Sequence, residues 1–138
     1  MILVFIAKDI DVLDDGYKDM GSELGIAYAY VPKLWPGGIR LEKKENLFIT
    51  AHGNKKVIGD EGPTLSIDAT SLAKIISQII PLSYTGDIYM STCNSYEFAK
   101  SLKKEFGDNL PLTDYYGTKK SIPYKIQGPS GDSWHKAP

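Results

Sequence analysis

"DIYMSTC" (residues 87–93) runs straight into "NSYEFAKSLKKEFG" (94–107), and the reading of this junction decides the fold. The first half is an apolar, β-prone run that reads as a strand. The second half sets Ala99, Leu102 and Phe106 along one helical stripe and stops at Gly107. Asn94, three residues before Glu97, gives a capping-box-like helix start. A strand that feeds directly into a helix is the unit from which parallel sheets are built. Cys93, the single cysteine of the chain, stands at the junction.

The same alternation recurs upstream. "LFITA" (47–51) is apolar nearly throughout, as a strand covered on both faces should be, and it delivers His52-Gly53 at its end. A glycine-rich loop leads to "DATSLAKIISQIIP" (68–81), where Leu72, Ile75, Ile76, Ile79 and Ile80 keep helical spacing and Pro81 marks the stop. Nearer the start, residues 2–7 read as a strand. In "DDGYKDMGSELG" (14–25), Tyr17, Met20 and Leu24 predict a helix capped by Gly25, and "IAYAYV" (26–31) predicts another strand. Residues 32–46, which include Trp35, read as a loop or short hairpin. Beyond Gly107, "LPLTDYYG" (110–117) suggests one more strand and "YKIQG" (124–128) a shorter one. "PSGDSWHKAP" (129–138) reads as a loop, in a tail loosely held from about residue 117.

Strands alternating with helices imply parallel strands joined by right-handed crossovers. The expected architecture is therefore an α/β fold, a three-layer α/β/α sandwich around a mostly parallel sheet. With 138 residues, 42% apolar, the chain is sized for a single domain spanning 1–138. Sixteen basic and 17 acidic residues are mixed along it, for a net charge of −1, which leaves no electrostatic footprint for nucleic acid or an anionic membrane. One cysteine cannot form an internal disulfide. The N-terminal apolar run lacks a basic n-region, and no later stretch approaches the ~18 apolar residues of a membrane span. No membrane insertion is expected, and the protein is placed in the cytoplasm or delivered into a target cell without a cleaved signal peptide. No Cys/His cluster has zinc spacing and no glycine fingerprint follows the first strand, so no metal and no cofactor are expected. Oligomeric state is not readable.

In an open parallel sheet, chemistry collects at the C-terminal strand ends. His52 and Cys93 both fall there, separated by one loop, one helix and a return strand. A thiol at a helix start is favoured as thiolate, and an adjacent imidazole accepts its proton. The backbone N–H groups of Gly53 and Cys93 are then candidate donors to the oxyanion of an acyl-transfer intermediate. A competing arrangement is an amidotransferase-like thiol hydrolase with His135 as base, although "STCNS" lacks the glycines that flank such an elbow.

"ENLFITAHGN" (45–54) followed by "DIYMSTCNS" (87–95) resembles the His-Gly and strand-end Cys motifs of caspase-like, clan CD cysteine peptidases. The nearest resemblance is to the self-processing cysteine protease domains of RTX and large clostridial toxins. It covers roughly residues 45–107, and His before Cys is its most specific element. It implies a caspase-like fold and a thiol endopeptidase acting on a protein or peptide substrate, with His52 as base, Cys93 as nucleophile, and the N–H groups of Gly53 and Cys93 as oxyanion donors. "DSWH" (132–135) is similar to a Ser-Trp substrate-lining segment, which would set Ser133 and Trp134 beside the substrate. Thr92 and Asn94, on either side of the cysteine, depart from the family pattern. No dense basic cluster is present, so activation by inositol hexakisphosphate is not carried over. A caspase-like domain that engages a partner without catalysis, as an effector or inhibitor, is the non-enzymatic alternative.

Overall fold

The structure is a computed structural model that describes residues 1–5, 24–30, 38–60, 62, 65–122 and 126–138. Its frame is a six-stranded sheet whose members are β1 (Ile2–Phe5), β2 (Ala27–Tyr30), β3 (Leu47–Thr50), β7 (Ile88–Ser91), β8 (Tyr115–Gly117) and β9 (His135–Lys136). They lie in the order β2-β1-β3-β7-β8-β9. The first five run parallel, and β9 closes the edge antiparallel to β8. A mixed α/β fold with a mostly parallel sheet is thus as expected.

Period-two alternation sorts the side chains onto two faces. Leu3, Phe5, Leu47, Ile49, Ile88, Met90 and Tyr115 point to one face. There they pack with Leu72, Ala73 and Ile76 of α1 (Ala69–Ser77) and with Phe98, Ala99, Leu102 and Phe106 of α2 (Tyr96–Phe106). The opposite face carries Ile2, Val4, Phe48 and Tyr89, covered by Leu24 and Ile126 with Tyr116 and Trp134 against them. Both described helices therefore lie on one face. The helix expected within 14–25 falls, but for its last two residues, outside the described residues, as does Trp35.

Three further short strands form a separate antiparallel sheet: β4 (His52–Gly53), β5 (Val57–Gly59) and β6 (Ser66–Asp68). The sequence reading treats this region as a glycine-rich loop, because runs of two or three residues carry no visible alternation. Asn54 makes the turn: its Oδ1 accepts from the N–H groups of Lys56 (2.8 Å) and Val57 (3.0 Å), and its own N–H donates to Val57 O.

The end of the chain is tied in. β9 pairs with Tyr116 and Gly117, Ala137 N–H donates to Tyr115 O at 2.8 Å, and Ala137 is 1% exposed. Residues 126–128 of the expected "YKIQG" strand are not in a strand, and residues 123–125 lie outside the described residues. Among the described residues, no helix is long and apolar enough to cross a membrane.

Candidate active site

The strand order brings β3 and β7 side by side, with Thr50 opposite Ser91 in register. Two residues further along each chain stand His52 and Cys93, so both leave the sheet at the same level of its C-terminal edge. The neighbouring pair β1 and β3 is also where the strand order changes direction, the position at which open α/β sheets leave a crevice. A cleft of ≈ 630 Å³ opens beyond the ends of β3 and β7, and His52, Gly53 and Cys93 all line it.

Gly53 is what lets the two strand ends meet. A Cβ at this position would lie 2.7 Å from Thr92 Cβ and 2.8 Å from Thr92 Oγ1, closer than real contacts allow. The absence of a side chain therefore seats the turn after His52 directly on the residue before Cys93. In the β4–β5 ladder, Asn54 N–H bonds Val57 O, so the adjacent pair Gly53/Ile58 is of the non-hydrogen-bonded kind. The N–H of Gly53 consequently points away from β5. The N–H of Cys93 donates to no backbone carbonyl among the described residues. Among the described residues, neither amide proposed as an oxyanion donor is paired by its own secondary structure.

The turn around Cys93 differs from the expected capping box. Asn94 adopts φ +53°, a left-handed conformation that Asn tolerates, and its N–H donates to Lys120 O at 3.1 Å. α2 begins at Tyr96 with Ser95 as N-cap, but the Ser95 hydroxyl donates to Met90 O (2.7 Å) and accepts from Thr118 N–H (3.0 Å) instead of capping the helix. A strap from Thr118 to Ile122 wraps this turn. Thr118 Oγ1 donates to Thr92 O (2.8 Å), Tyr96 N–H to Thr118 O (2.9 Å), and Ile122 N–H to Cys93 Sγ (3.3 Å). The thiol also faces Ile122 O at 3.6 Å. One hydrogen bond into the sulfur and one from the thiol tie Sγ to the Ile122 backbone, a role that nothing in residue type or spacing reveals.

The other candidates lie elsewhere. Trp134 packs edge-on against Tyr89 (centroids 5.1 Å, 67°), while its Nε1–H donates to Gly128 O. Ser133 N–H donates to Gln127 Oε1. Neither lines the cleft that holds His52 and Cys93; the Ser-Trp segment lies toward the covered sheet face. His135 is exposed beside the Tyr96 ring (6.1 Å between centroids) and is absent from the cleft that Cys93 shares with His52. Asn54, Asp60 and Ser66 join the lining unannounced by the sequence. Among the described residues no group of His, Cys, Asp and Glu could hold a metal ion. Comparison with protein-family models, curated proteins and solved structures finds no match for this chain.

Proposed function

We propose that the chain is a caspase-like cysteine peptidase that cleaves peptide bonds with His52 as base and Cys93 as nucleophile. The observation that carries this reading is the meeting of the only cysteine, one of the two histidines and two unpaired amides at one cleft on the C-terminal edge of adjacent parallel strands. The finer, caspase-like three-layer arrangement belongs to the same proposal: the mostly parallel six-stranded sheet supports it, while the two described helices supply a layer on one face only.

In this reaction Cys93 Sγ bonds to the carbonyl carbon of the scissile peptide while its proton passes to His52. The carbonyl oxygen takes up the negative charge and is held by the N–H groups of Gly53 and Cys93. Collapse breaks the C–N bond, and His52 returns the proton to the leaving amine. Water then adds to the thioester carbonyl as His52 takes one of its protons, the C–S bond breaks, His52 returns that proton to Sγ, and the product leaves as a carboxylic acid that ionises in water. Fixing the thiol and both amides on rigid elements supplies orientation without a third catalytic side chain.

The test is mass spectrometry of new termini after incubation with a peptide mixture and with the protein itself. Cleavage present in wild type should vanish in Cys93→Ala. It should fall by on the order of 10²-fold or more in His52→Ala, the cost of removing a general base. His135→Ala should stay within a few-fold of wild type. Products that persist in Cys93→Ala remove the nucleophile from the proposal. An inactive His135→Ala beside an active His52→Ala would replace it with the late-histidine hydrolase, and no cleavage by any form favours the non-catalytic binding module.

A further inference from the structure

We infer that Thr118 is a positioning residue for the proposed oxyanion site: its hydroxyl, bonded to Thr92 O, aims and polarises the Cys93 N–H. The inference rests on the peptidase reading. A trans peptide is planar, and its C=O and N–H point in opposite directions. The unit between Thr92 and Cys93 is of this kind, since no cis peptide occurs among the described residues. Its carbonyl oxygen accepts from Thr118 Oγ1 at 2.8 Å, and its N–H is the Cys93 amide that donates to no backbone carbonyl among the described residues. Thr118 follows β8, which flanks β7 on one side, while β3 flanks it on the other. Drawing Thr92 O toward the β8 side therefore turns Cys93 N–H toward the β3 side, where His52 and Gly53 line the shared cleft.

A hydroxyl has one proton to give, and the surroundings commit this one to Thr92 O. Lys120 O is farther away, at 3.3 Å, and already accepts from Asn94 N–H. Ser95 Oγ lies 3.4 Å from Thr118 Oγ1 and already accepts from Thr118 N–H at 3.0 Å. Thr118 O in turn accepts from Tyr96 N–H at 2.9 Å, so all three polar groups of this residue bond to the turn that carries Cys93. Thr118 is buried, which shields its hydroxyl from competing water. The seat is close because the preceding residue is glycine: a Cβ on Gly117 would lie 2.5 Å from Ser95 O. A hydrogen bond accepted by a carbonyl draws electron density across its peptide and makes the N–H of the same unit a stronger donor. The oxyanion is charged and forms only on the way to the intermediate, so a stronger donor favours it more than it favours the neutral substrate carbonyl.

The experiment compares wild type with Thr118→Val, which replaces the hydroxyl by a methyl, and Thr118→Ser, which keeps it, each verified as folded by circular dichroism. On a peptide that wild type cleaves, Thr118→Val should lose about tenfold in kcat with KM nearly unchanged, less than the roughly 10²- to 10³-fold cost of deleting an oxyanion donor outright. Thr118→Ser should stay close to wild type. Alkylation of Cys93 by iodoacetamide joins the thiolate sulfur to the CH₂ carbon as iodide leaves and forms no oxyanion, so its rate should be the same in all three proteins. Because Cys93 is the only cysteine, labelling with 15N-cysteine gives one backbone amide signal. Its nitrogen resonance should move upfield in Thr118→Val and hold its place in Thr118→Ser. An unchanged kcat or amide signal in Thr118→Val overturns the inference, as does an effect on KM alone or an equal loss in Thr118→Ser. A loss of kcat matched by slower alkylation also overturns it, by making Thr118 a support for the thiol itself. Should Thr118→Val not fold, Thr118→Ala takes its place under the same criteria. Cleavage by wild type that Thr118→Val leaves intact sinks this inference alone. No cleavage by wild type sinks the peptidase reading, and the amide signal then decides whether Thr118 polarises the Cys93 N–H.

Discussion

Gly53 sets how closely the two halves of the site approach each other. Because its hydrogen points at the Thr92 side chain, Gly53→Ala must either push the hairpin away from β7 or tilt Thr92, which is 1% exposed and has no room to retreat. Either movement shifts His52 and the N–H proposed as an oxyanion donor relative to Cys93, and in the proposed reaction displacements of about 1 Å cost on the order of 10²-fold in rate. Gly53→Ala should therefore fold, by circular dichroism, and lose most activity. Adding Thr92→Ala removes the atoms it would strike and should restore a substantial part of that activity. A double variant no better than the single one would show that Gly53 acts through backbone conformation instead. His52 and Cys93 are legible in the sequence because each ends an apolar run whose direction is fixed by the helix downstream of it. Asp60 and Ile122 are not, because they reach the site through loops whose path depends on tertiary contacts.

At the scale of elements, hydrophobic period finds α1 and α2, while their ends are decided by competing hydrogen bonds. The α1 stripe continues through Ile79 and Ile80, yet the helix stops at Ser77: Ile79 O accepts from Leu41 N–H, which draws the chain out of helical register before Pro81. At the other end, Asp68 is the N-cap, and its Oδ1 accepts from Ser71 N–H at 2.8 Å. The bonds from Ser71, backbone first and then side chain, hold the Asp68 carboxyl below the usual carboxylate range. A depressed value in the folded state means stability that is present above the unfolded value and lost as pH falls through the folded one. Asp68→Ala should lower Tm by a few degrees at pH 7. The difference from wild type should shrink as acid protonates Asp68. Thermal scans across that range check it, and a gap that widens in acid would mean that the cap does not act through its charge.

The whole molecule has a polarity that strand order explains: candidate chemistry at the C-terminal edge of the sheet, cross-ties at the N-terminal edge. There Asn46 Oδ1 accepts from Asp87 N–H and Asp87 Oδ1 accepts from Asp114 N–H, both at 3.0 Å, which staples the starts of β3, β7 and β8. Parallel order between neighbouring strands follows from the strand–helix alternation in the sequence, whereas the reversed edge strand β9 does not, because His135–Lys136 is too short to show a period. Burial is the largest influence on Asp87 and raises its carboxyl above the ordinary value. The Asp114 backbone bond opposes the rise, the Asp114 charge adds to it, and Lys136 works against it. A folded value above the unfolded one means that the folded state binds the proton more tightly, so the charged carboxylate costs stability at neutral pH. That cost is relieved as pH falls through the folded value toward the unfolded one. Asparagine keeps the oxygen that Asp114 N–H needs and removes the charge. Asp87→Asn should therefore have a higher Tm than wild type at pH 7. The two should converge as acid protonates the wild-type group, a trend opposite in sign to that of Asp68. A variant less stable than wild type at pH 7 would show instead that the charge, through Lys136 and the backbone bond, is a net tie across the sheet.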